Sequence, residues 1–327
     1  MFTYKQAGVN IDTAEKIVGE IAVLQKKTEI TKKLLNKFGF FSSCYVLKGY
    51  KNPVMVATCD GVGTKLKLLK DYDLIETAGW DVVAMNINDI LTTGAMPLMF
   101  LDYIGMNKID SVLIKRLIKG ITSACVESEC ILAGGETAEM PGLVKPDSFE
   151  LAGFCVGVCE KDELVKPETI IEGDIALGFK SNGFHSNGFS LIRKILEERK
   201  KDFNIKEIKN LLNRTKIYYK EIKRLKELKV MIKGIAHITG GGIPRNLSRI
   251  INKGLGVRIK LPRIQCESII KILKYVDKRE AINVFNMGIG LIIICDKKYY
   301  DKIVENFKEI YFLSEVEKSD ITCRVFI

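Results

Sequence analysis

Asp60-Gly61-Val62-Gly63-Thr64-Lys65 follows an apolar run, Pro53–Cys59, and so stands where a strand gives way to a helix. A carboxylate at a strand end, two glycines, a hydroxyl and a lysine supply what a metal-phosphate site needs. Glycines let backbone N–H groups approach oxyanions, Asp60 can ligate a divalent cation, and Lys65 offers a point charge. An ordinary Asp-Gly turn would read the same way in isolation. Two further acids raise the same question. Asp89, beside Asn88, closes an apolar helical stretch (Trp80–Ile90), and Asp102 interrupts the apolar run Leu98–Met106. A buried carboxylate needs a cation, and a bound metal is one solution. Asp60, Asp89 and Asp102 together point to a cation site. Glu136 and Thr137 lie in a glycine-rich segment, Leu132–Gly142, read as a loop after a short strand; it is either part of a site or a surface hairpin.

The second half carries Ser181-Asn-Gly-Phe-His185-Ser186-Asn187-Gly188 before a helical stripe of Leu191, Ile192, Ile195 and Leu196. Backbone N–H groups at a helix start form an anion site. His237 leads through Thr239 into Gly240-Gly241-Gly242 and another helix at Ile243. Both histidines of the chain therefore sit in glycine-rich approaches to helices. A structural role and ligand contact are the two readings, and the shared setting favours contact. Phe285-Asn286-Met287-Gly288-Ile289-Gly290 opens the last long apolar strand and by itself reads as a bulged strand start.

Several chemistries are excluded. No Gly-Lys dipeptide occurs, so there is no P-loop, and no GxGxxG marks a dinucleotide or protein-kinase fold. Nine cysteines without a CxxC, in apolar surroundings and with only two histidines, read as reduced thiols rather than a zinc site. The formal charge is +11, with lysine densest from Lys200 to Lys233, where it alternates with Glu and Leu as on a solvated helix face. No nucleic-acid-binding motif accompanies it, so the charge suits phosphorylated metabolites. No apolar run reaches the ~18–20 residues a membrane helix needs, and no secretory h-region follows Met1. A cytoplasmic protein without a membrane or nucleic-acid partner is expected.

These residues must be positioned by two domains, since 327 residues exceed one ordinary core. The boundary is placed in the charged, turn-like Lys161–Gly173, giving domains 1–165 and 166–327. A capping box at Asp12–Glu15 starts a helix through Leu24, and a second helix runs from Asp110 with Leu113, Ile114, Leu117, Ile118, Ile121 and Cys125 on one stripe. Pro53–Cys59, Pro97–Ile104 and Phe149–Val158 read as strands, apolar at nearly every position, hence covered on both faces. Helices cover one face, and a partner subunit's sheet is the natural cover for the other. The second half alternates strands and helices, so the fold class is α/β (α+β), two mixed α/β domains.

Taken together, DGVGTK (Asp60–Lys65), NDI with GAMP (Asn88–Pro97), GGETAEMPG (Gly134–Gly142), AGFCVGV (Ala152–Val158), SNGFHSNGFSLIRKIL (Ser181–Leu196), HITGGG (His237–Gly242) and FNMGIG (Phe285–Gly290) resemble the phosphoribosylformylglycinamidine cyclo-ligase family, or aminoimidazole ribonucleotide synthetases, across nearly the whole chain. The resemblance implies a homodimer whose N-terminal sheets pair into a central barrel, an N-terminal domain for ATP and dimerisation, and a C-terminal domain completing the substrate cleft. It implies ATP-dependent closure of formylglycinamidine ribonucleotide to aminoimidazole ribonucleotide, ADP and phosphate in purine biosynthesis. ATP and Mg²⁺ are then the cofactors and a small phosphorylated ribonucleotide the substrate. Asp60, Asp89 and Asp102 are carried over to the metal, and Gly61, Gly63, Thr64 and Lys65 to the phosphate cradle. Asn88, Glu136 and Thr137 go to the nucleotide. His185, Ser186, Asn187, Gly188 and Gly240–Gly242 go to the substrate, with His185 first and His237 second as general base.

The chain departs from the family at Asn36–Phe41, which is glycine-richer elsewhere, at Arg214 where proline is common, and at Met287 where cysteine is common; Arg199–Lys233 matches weakly. Sister enzymes of the selenophosphate synthetase or thiamine-phosphate kinase type are the nearest rivals. The reactive cysteine or selenocysteine loop of the former is not found. A basic nucleic-acid-binding protein is the rival from another class.

Overall fold

The computed structural model describes residues 19–30, 33–37 and 39–326. Of the helix expected from Asp12 to Leu24, the part before residue 19 lies outside the described residues; residues 19–25 are helical. The chain divides into two compact units, one running to Ile90 and again over Ala95–Asp162, the other comprising Leu91–Gly94 and Glu163 onward.

The first unit is built on a four-stranded sheet of β1 (Pro53–Gly61), β2 (Met96–Met106), β3 (Ile131–Glu139) and β4 (Phe149–Glu160), in the order β1-β4-β2-β3. β4 is antiparallel to both neighbours, and β2 and β3 run parallel. The segment expected to be a loop at Leu132–Gly142 is therefore corrected: through Glu139 it is strand. The register shifts once, skipping Ala133, and resumes with Gly134 and Gly135 opposite Leu101 and Asp102. A short helix α1 (Lys65–Asp71) follows β1. The long helices α2 (Ile75–Leu91) and α3 (Ser111–Glu127) cover one sheet face.

α3 starts where Asp110 accepts hydrogen bonds from the N–H groups of Val112 and Leu113, each at 3.0 Å, which satisfies two donors a helix start leaves orphaned. Ile114, Leu117, Ile118, Ile121 and Cys125 of its stripe are buried. α2 and α3 cross at glycines. A Cβ on Gly79 would overlap the Leu117 carbonyl, and one on Gly120 the Glu76 carbonyl, so the two backbones can meet only without side chains there. Arg116 locks the crossing from outside through Glu76, 2.7 Å away. The opposite sheet face carries Met55, Cys59 and Phe154, all exposed, with Leu101 and Tyr103 half-buried beside them. The sheet is apolar on both faces, and among the described residues helices cover one of them.

The second unit holds a six-stranded sheet, ordered β10-β7-β9-β5-β8-β6. Its strands are β5 (Ile175–Lys180), β6 (Ile232–His237), β7 (Leu255–Lys260), β8 (Ile289–Cys295), β9 (Ile310–Lys318) and β10 (Cys323–Phe326). All neighbours are antiparallel except β10 and β7. β8 is buried at every residue, as a central strand covered on both sides must be. Helices α4 (Phe189–Arg199), α5 (Ile205–Leu211), α6 (Tyr219–Glu227), α7 (Gly242–Leu247), α8 (Glu267–Leu273), α9 (Lys278–Val284) and α10 (Tyr300–Asn306) complete it. α5 and α6 occupy the lysine-rich region. Each buries Ile and Leu on one stripe and turns its lysines outward. Five of the nine cysteines are buried, and all nine are free thiols.

Candidate functional site

Strand β1 delivers Asp60 to its end, where Oδ1 accepts the Gly61 N–H at 2.7 Å. Gly61 passes close under β4, and a Cβ there would lie 3.1 Å from the Leu151 carbonyl. Gly63 has a left-handed φ of +65° with open space where a side chain would be, so this position requires glycine for its backbone and leaves room beside it. Gly63 and Thr64 are exposed. Lys65 is not. Its side chain is completely buried, and its ammonium sits 2.6 Å from Asp81 on α2. Burial lowers the lysine pKa, and the Asp81 charge and hydrogen bond oppose that fall. Expected as a point charge for phosphate, Lys65 here forms an internal tie between the start of α1 and α2.

Asp60 and Asp102 both pair with Gly153 of β4, so they occupy the same face of the sheet with a glycine between them. Two strand spacings of about 4.8 Å put their Cα atoms roughly 10 Å apart. Above Gly153 stands Asn86 of α2. Its Nδ2 donates to the carbonyls of Asp60 (3.2 Å) and Val82 (2.8 Å), and its buried Oδ1 has no hydrogen-bond partner among the described residues. Asp102 is 6% exposed, and its carboxylate lies over Gly135, where a Cβ would displace it. Among the described residues no lysine or arginine is paired with it. Burial raises its pKa to about 7, helped by the nearby charge of Glu136. Asn88 is buried and Asp89 half-buried toward the end of α2. Among the described residues no group of three or more His, Cys, Asp and Glu is gathered to hold a metal ion, so the three aspartates do not form a ready cage. The donor set still fits a magnesium ion. That ion is usually held by one or two carboxylates together with the phosphates of a substrate, and Asp102 is a buried carboxylate with no cation opposite it among the described residues.

A cavity of about 510 Å³ brings Asp102, Glu136 and Thr137 together with Phe40, Phe41 and Ser43. Ser43 holds its own segment to the rim by donating to the Ala133 carbonyl. Asp60 and Asp89 are not among the lining residues.

In the second unit, the loop before α4 and the start of β8 are interlocked. Asn286 donates from Nδ2 to the Gly183 carbonyl at 2.7 Å, and the Ser181 N–H donates to the Gly288 carbonyl at 2.9 Å. Gly188 has a left-handed φ of +72°, and any Cβ would strike the Phe285 ring. His185 is 1% exposed with φ +58°, and its Nε2 accepts the N–H groups of Asn182 (3.3 Å) and Lys216 (3.4 Å). Both backbone donors meet on Nε2 and tie the ring to its own loop and to Lys216, while Nδ1 is not used by either contact. Ser186 Oγ lies 3.2 Å from Thr215 Oγ1. Asn187 is 7% exposed, and its Nδ2 is buried without a hydrogen-bond partner among the described residues. His237 ends β6 opposite Leu291. Gly290 joins the two histidines. Ile238 donates to its carbonyl at 2.9 Å, and a Cβ on it would lie 2.5 Å from His185 Cε1 and overlap the Tyr218 hydroxyl. The ladder register shifts at this glycine, which is the bulge expected from FNMGIG. Gly240 is exposed, and Asn246 pins the turn around it by donating to the Gly242 carbonyl at 2.8 Å.

Asp81, Asn86, Thr215 and Tyr218 belong to no motif that the sequence marks. Asp81 carries a signal all the same: it lies within the apolar stretch Ala78–Met85, and a charge there requires a buried counter-charge. Nothing local marks the other three, whose contacts to the site segments (Asn86 to Asp60, Thr215 to Ser186, Tyr218 to Lys180) are distant in sequence.

Residues 42–159 match the family described as AIR synthase related protein, N-terminal domain, and residues 172–322 its C-terminal domain. A curated relative from Thermoanaerobacter pseudethanolicus, named phosphoribosylformylglycinamidine cyclo-ligase, is 45% identical over 97% of this chain and 98% of its own. Among solved structures, thiamine-monophosphate kinase from Stenotrophomonas maltophilia K279a shares the fold with a TM-score of 0.69 at 14% identity, covering 93% of this chain and 94% of that one. The hydrogenase maturation protein HypE in complex with ATP does so at 0.66 and 14%, covering 93% and 86%. Two matched domains and near-complete alignment place this chain in the phosphoribosylformylglycinamidine cyclo-ligase family.

Proposed function

We propose that this chain closes the imidazole ring of aminoimidazole ribonucleotide from formylglycinamidine ribonucleotide, converting ATP to ADP and phosphate, in de novo purine biosynthesis. The observation that carries this reading is the 45% identity with a cyclo-ligase over 97% of the chain. The geometry supports it through the polar groups left facing inward: the Asp102 carboxylate in the first unit and the Asn187 amide in the second.

The chemistry sets what the residues must do. An amide oxygen is a poor leaving group. ATP phosphorylates the formyl oxygen to give an iminophosphate, the amidine nitrogen attacks that carbon, and phosphate departs with the oxygen. Phosphoryl transfer asks a protein mainly for positioning and charge neutralisation. The turn Gly61–Thr64, exposed at Gly63 and Thr64, offers backbone N–H groups to the phosphates, with Asp60 beside it. Asn88, Asp89, Glu136 and Thr137 complete the nucleotide contacts. Asp60, Asp89 and Asp102 are the residues that would hold magnesium, recruited by the bound nucleotide rather than preassembled. When bound, that ion neutralises charge on the transferring phosphoryl group. Ser186, Asn187, Gly188 and Gly240–Gly242 contact the ribonucleotide, and His185 shapes their loop. His185 and His237 remain the candidate bases. Domains 1–165 and 166–327 divide these tasks, ATP to the first and ribonucleotide to the second.

The open sheet face supports a homodimer in which two N-terminal sheets pair. Phe154 is 44% and Met55 64% exposed, so burying what remains would contribute about 1–1.5 kcal/mol each. A cytoplasmic setting suits the pathway, and among the described residues no helix is long and apolar enough to cross a membrane.

Incubation of purified protein with ATP, Mg²⁺ and formylglycinamidine ribonucleotide tests the reading. Aminoimidazole ribonucleotide and ADP should appear one to one. ADP without the imidazole would instead mark a phosphotransferase of the kinase type.

A further inference from the structure

The segment Asn213–Tyr218, between α5 and α6, lies against the loop Ser181–Gly188 at several points. Asn213 Nδ2 donates to the Asn182 carbonyl (3.4 Å), and the Lys216 N–H donates to His185 Nε2 (3.4 Å). Thr215 Oγ1 and Ser186 Oγ are 3.2 Å apart, and Thr215 is completely buried. Tyr218, also completely buried, donates to the Lys180 carbonyl at 3.0 Å, while its ring lies 6.2 Å from that of His185. The Lys216 ammonium is held 3.0 Å from Glu221 on α6, which fixes the segment from its far side.

The loop being held is not one the chain would adopt unaided. His185 has φ +58°, a left-handed conformation that a residue with a Cβ takes only when its surroundings over-determine it. Two backbone N–H groups that converge on His185 Nε2, one from Asn182 and one from Lys216, supply that constraint. Ser186 and Asn187 follow directly, so their directions are set by the same hold.

We propose that Asn213–Tyr218 is a clamp that sets the Ser181–Gly188 loop in its ligand-binding shape, with Thr215 the positioning residue for Ser186. This rests on the assignment of the loop to the ribonucleotide under the proposed function. Thr215 touches Ser186 rather than substrate. Its loss therefore acts on ribonucleotide binding and leaves the nucleotide site of the first unit alone.

Thr215→Val keeps the shape and removes the hydroxyl. The Michaelis constant for formylglycinamidine ribonucleotide should rise about tenfold, the effect of one hydrogen bond, while that for ATP stays within about twofold. Thr215→Ser, which restores the hydroxyl, should recover the wild-type value. Thermal stabilisation of Thr215→Val by the ribonucleotide should weaken while stabilisation by Mg-ATP persists. Should the valine variant fail to fold, Tyr218→Phe, which removes only the hydroxyl on the Lys180 carbonyl, carries the same pair of measurements. Equal rises in both constants, no rise in either, or a serine variant no better than valine would overturn the clamp. A wild-type protein with no turnover would overturn the proposed function and the clamp with it. An active wild type with an unaltered valine variant removes the clamp alone.

Discussion

The Lys65 ammonium lies 2.6 Å from an Asp81 carboxylate oxygen, with both side chains closed to solvent. Removing one member of such a pair strands the other's charge, which costs about 3–5 kcal/mol, whereas replacing both by apolar groups is nearly neutral. Lys65→Met should therefore lower the urea-unfolding free energy by that amount, and Lys65→Met/Asp81→Leu should recover most of it. The double variant should also keep its ATP Michaelis constant within a few-fold. A large loss of ATP affinity in a stably folded double variant would return Lys65 to the phosphates.

Asp102 gives the metal-free protein a pH dependence of unusual sign. Its proton leaves near 3.8 in the unfolded chain and near 7 in the fold, because burial disfavours the carboxylate. Between those values the folded state binds more protons, so stability falls as pH rises. The size is on the order of 4 kcal/mol, at about 1.4 kcal/mol per tenfold change. Asp102→Asn should flatten this slope, measured as urea midpoints from pH 4 to 8. Parallel curves for the two proteins would show that the carboxylate is not desolvated.

Gly290 is where a single methyl group should do most damage. Its Cβ would stand 2.5 Å from His185 Cε1 and overlap the Tyr218 hydroxyl. Overpacking of this kind costs about 1–3 kcal/mol, and the atoms that must give way are those shaping the Ser181–Gly188 loop. Gly290→Ala should lower the melting temperature and raise the Michaelis constant for the ribonucleotide more than that for ATP.

The open sheet face predicts a dimer that a charge can break. Phe154 is 44% exposed and Met55 64% in the single chain. Phe154→Asp should shift sedimentation from dimer to monomer without unfolding the chain. A wild-type monomer at micromolar concentration would contradict the paired sheets.

Local patterns are legible where spacing alone decides them. The stripe from Leu113 to Cys125, its Asp110 cap and the glycine-marked bulge at Gly290 follow from periodicity and from residues adjacent in the chain. The double apolarity of β1, β2 and β4 points to a second face that the described helices do not cover, and Met55 and Phe154 lie on it. Where spacing misleads, the cause is distant. The glycines of Leu132–Gly142 suggest a loop, yet pairing with β2 makes most of it strand. Lys65 reads as a point charge for phosphate, and its buried partner Asp81 is not apparent because it stands 16 residues away on another helix. β6 and β9 begin in lysine- and aromatic-mixed stretches and gain their strand character from neighbours in the sheet. Residue type and spacing mark which candidates could act; only the fold separates the exposed Gly63 and Thr64 from the buried, engaged His185 and Lys65.

The most direct measurement follows one oxygen atom. Formylglycinamidine ribonucleotide labelled with ¹⁸O at the formyl group should be turned over with unlabelled ATP, and the released phosphate analysed by mass. Ring closure through a phosphorylated amide moves that oxygen into phosphate, one atom per imidazole formed. Unlabelled phosphate beside an equal yield of product would contradict the account.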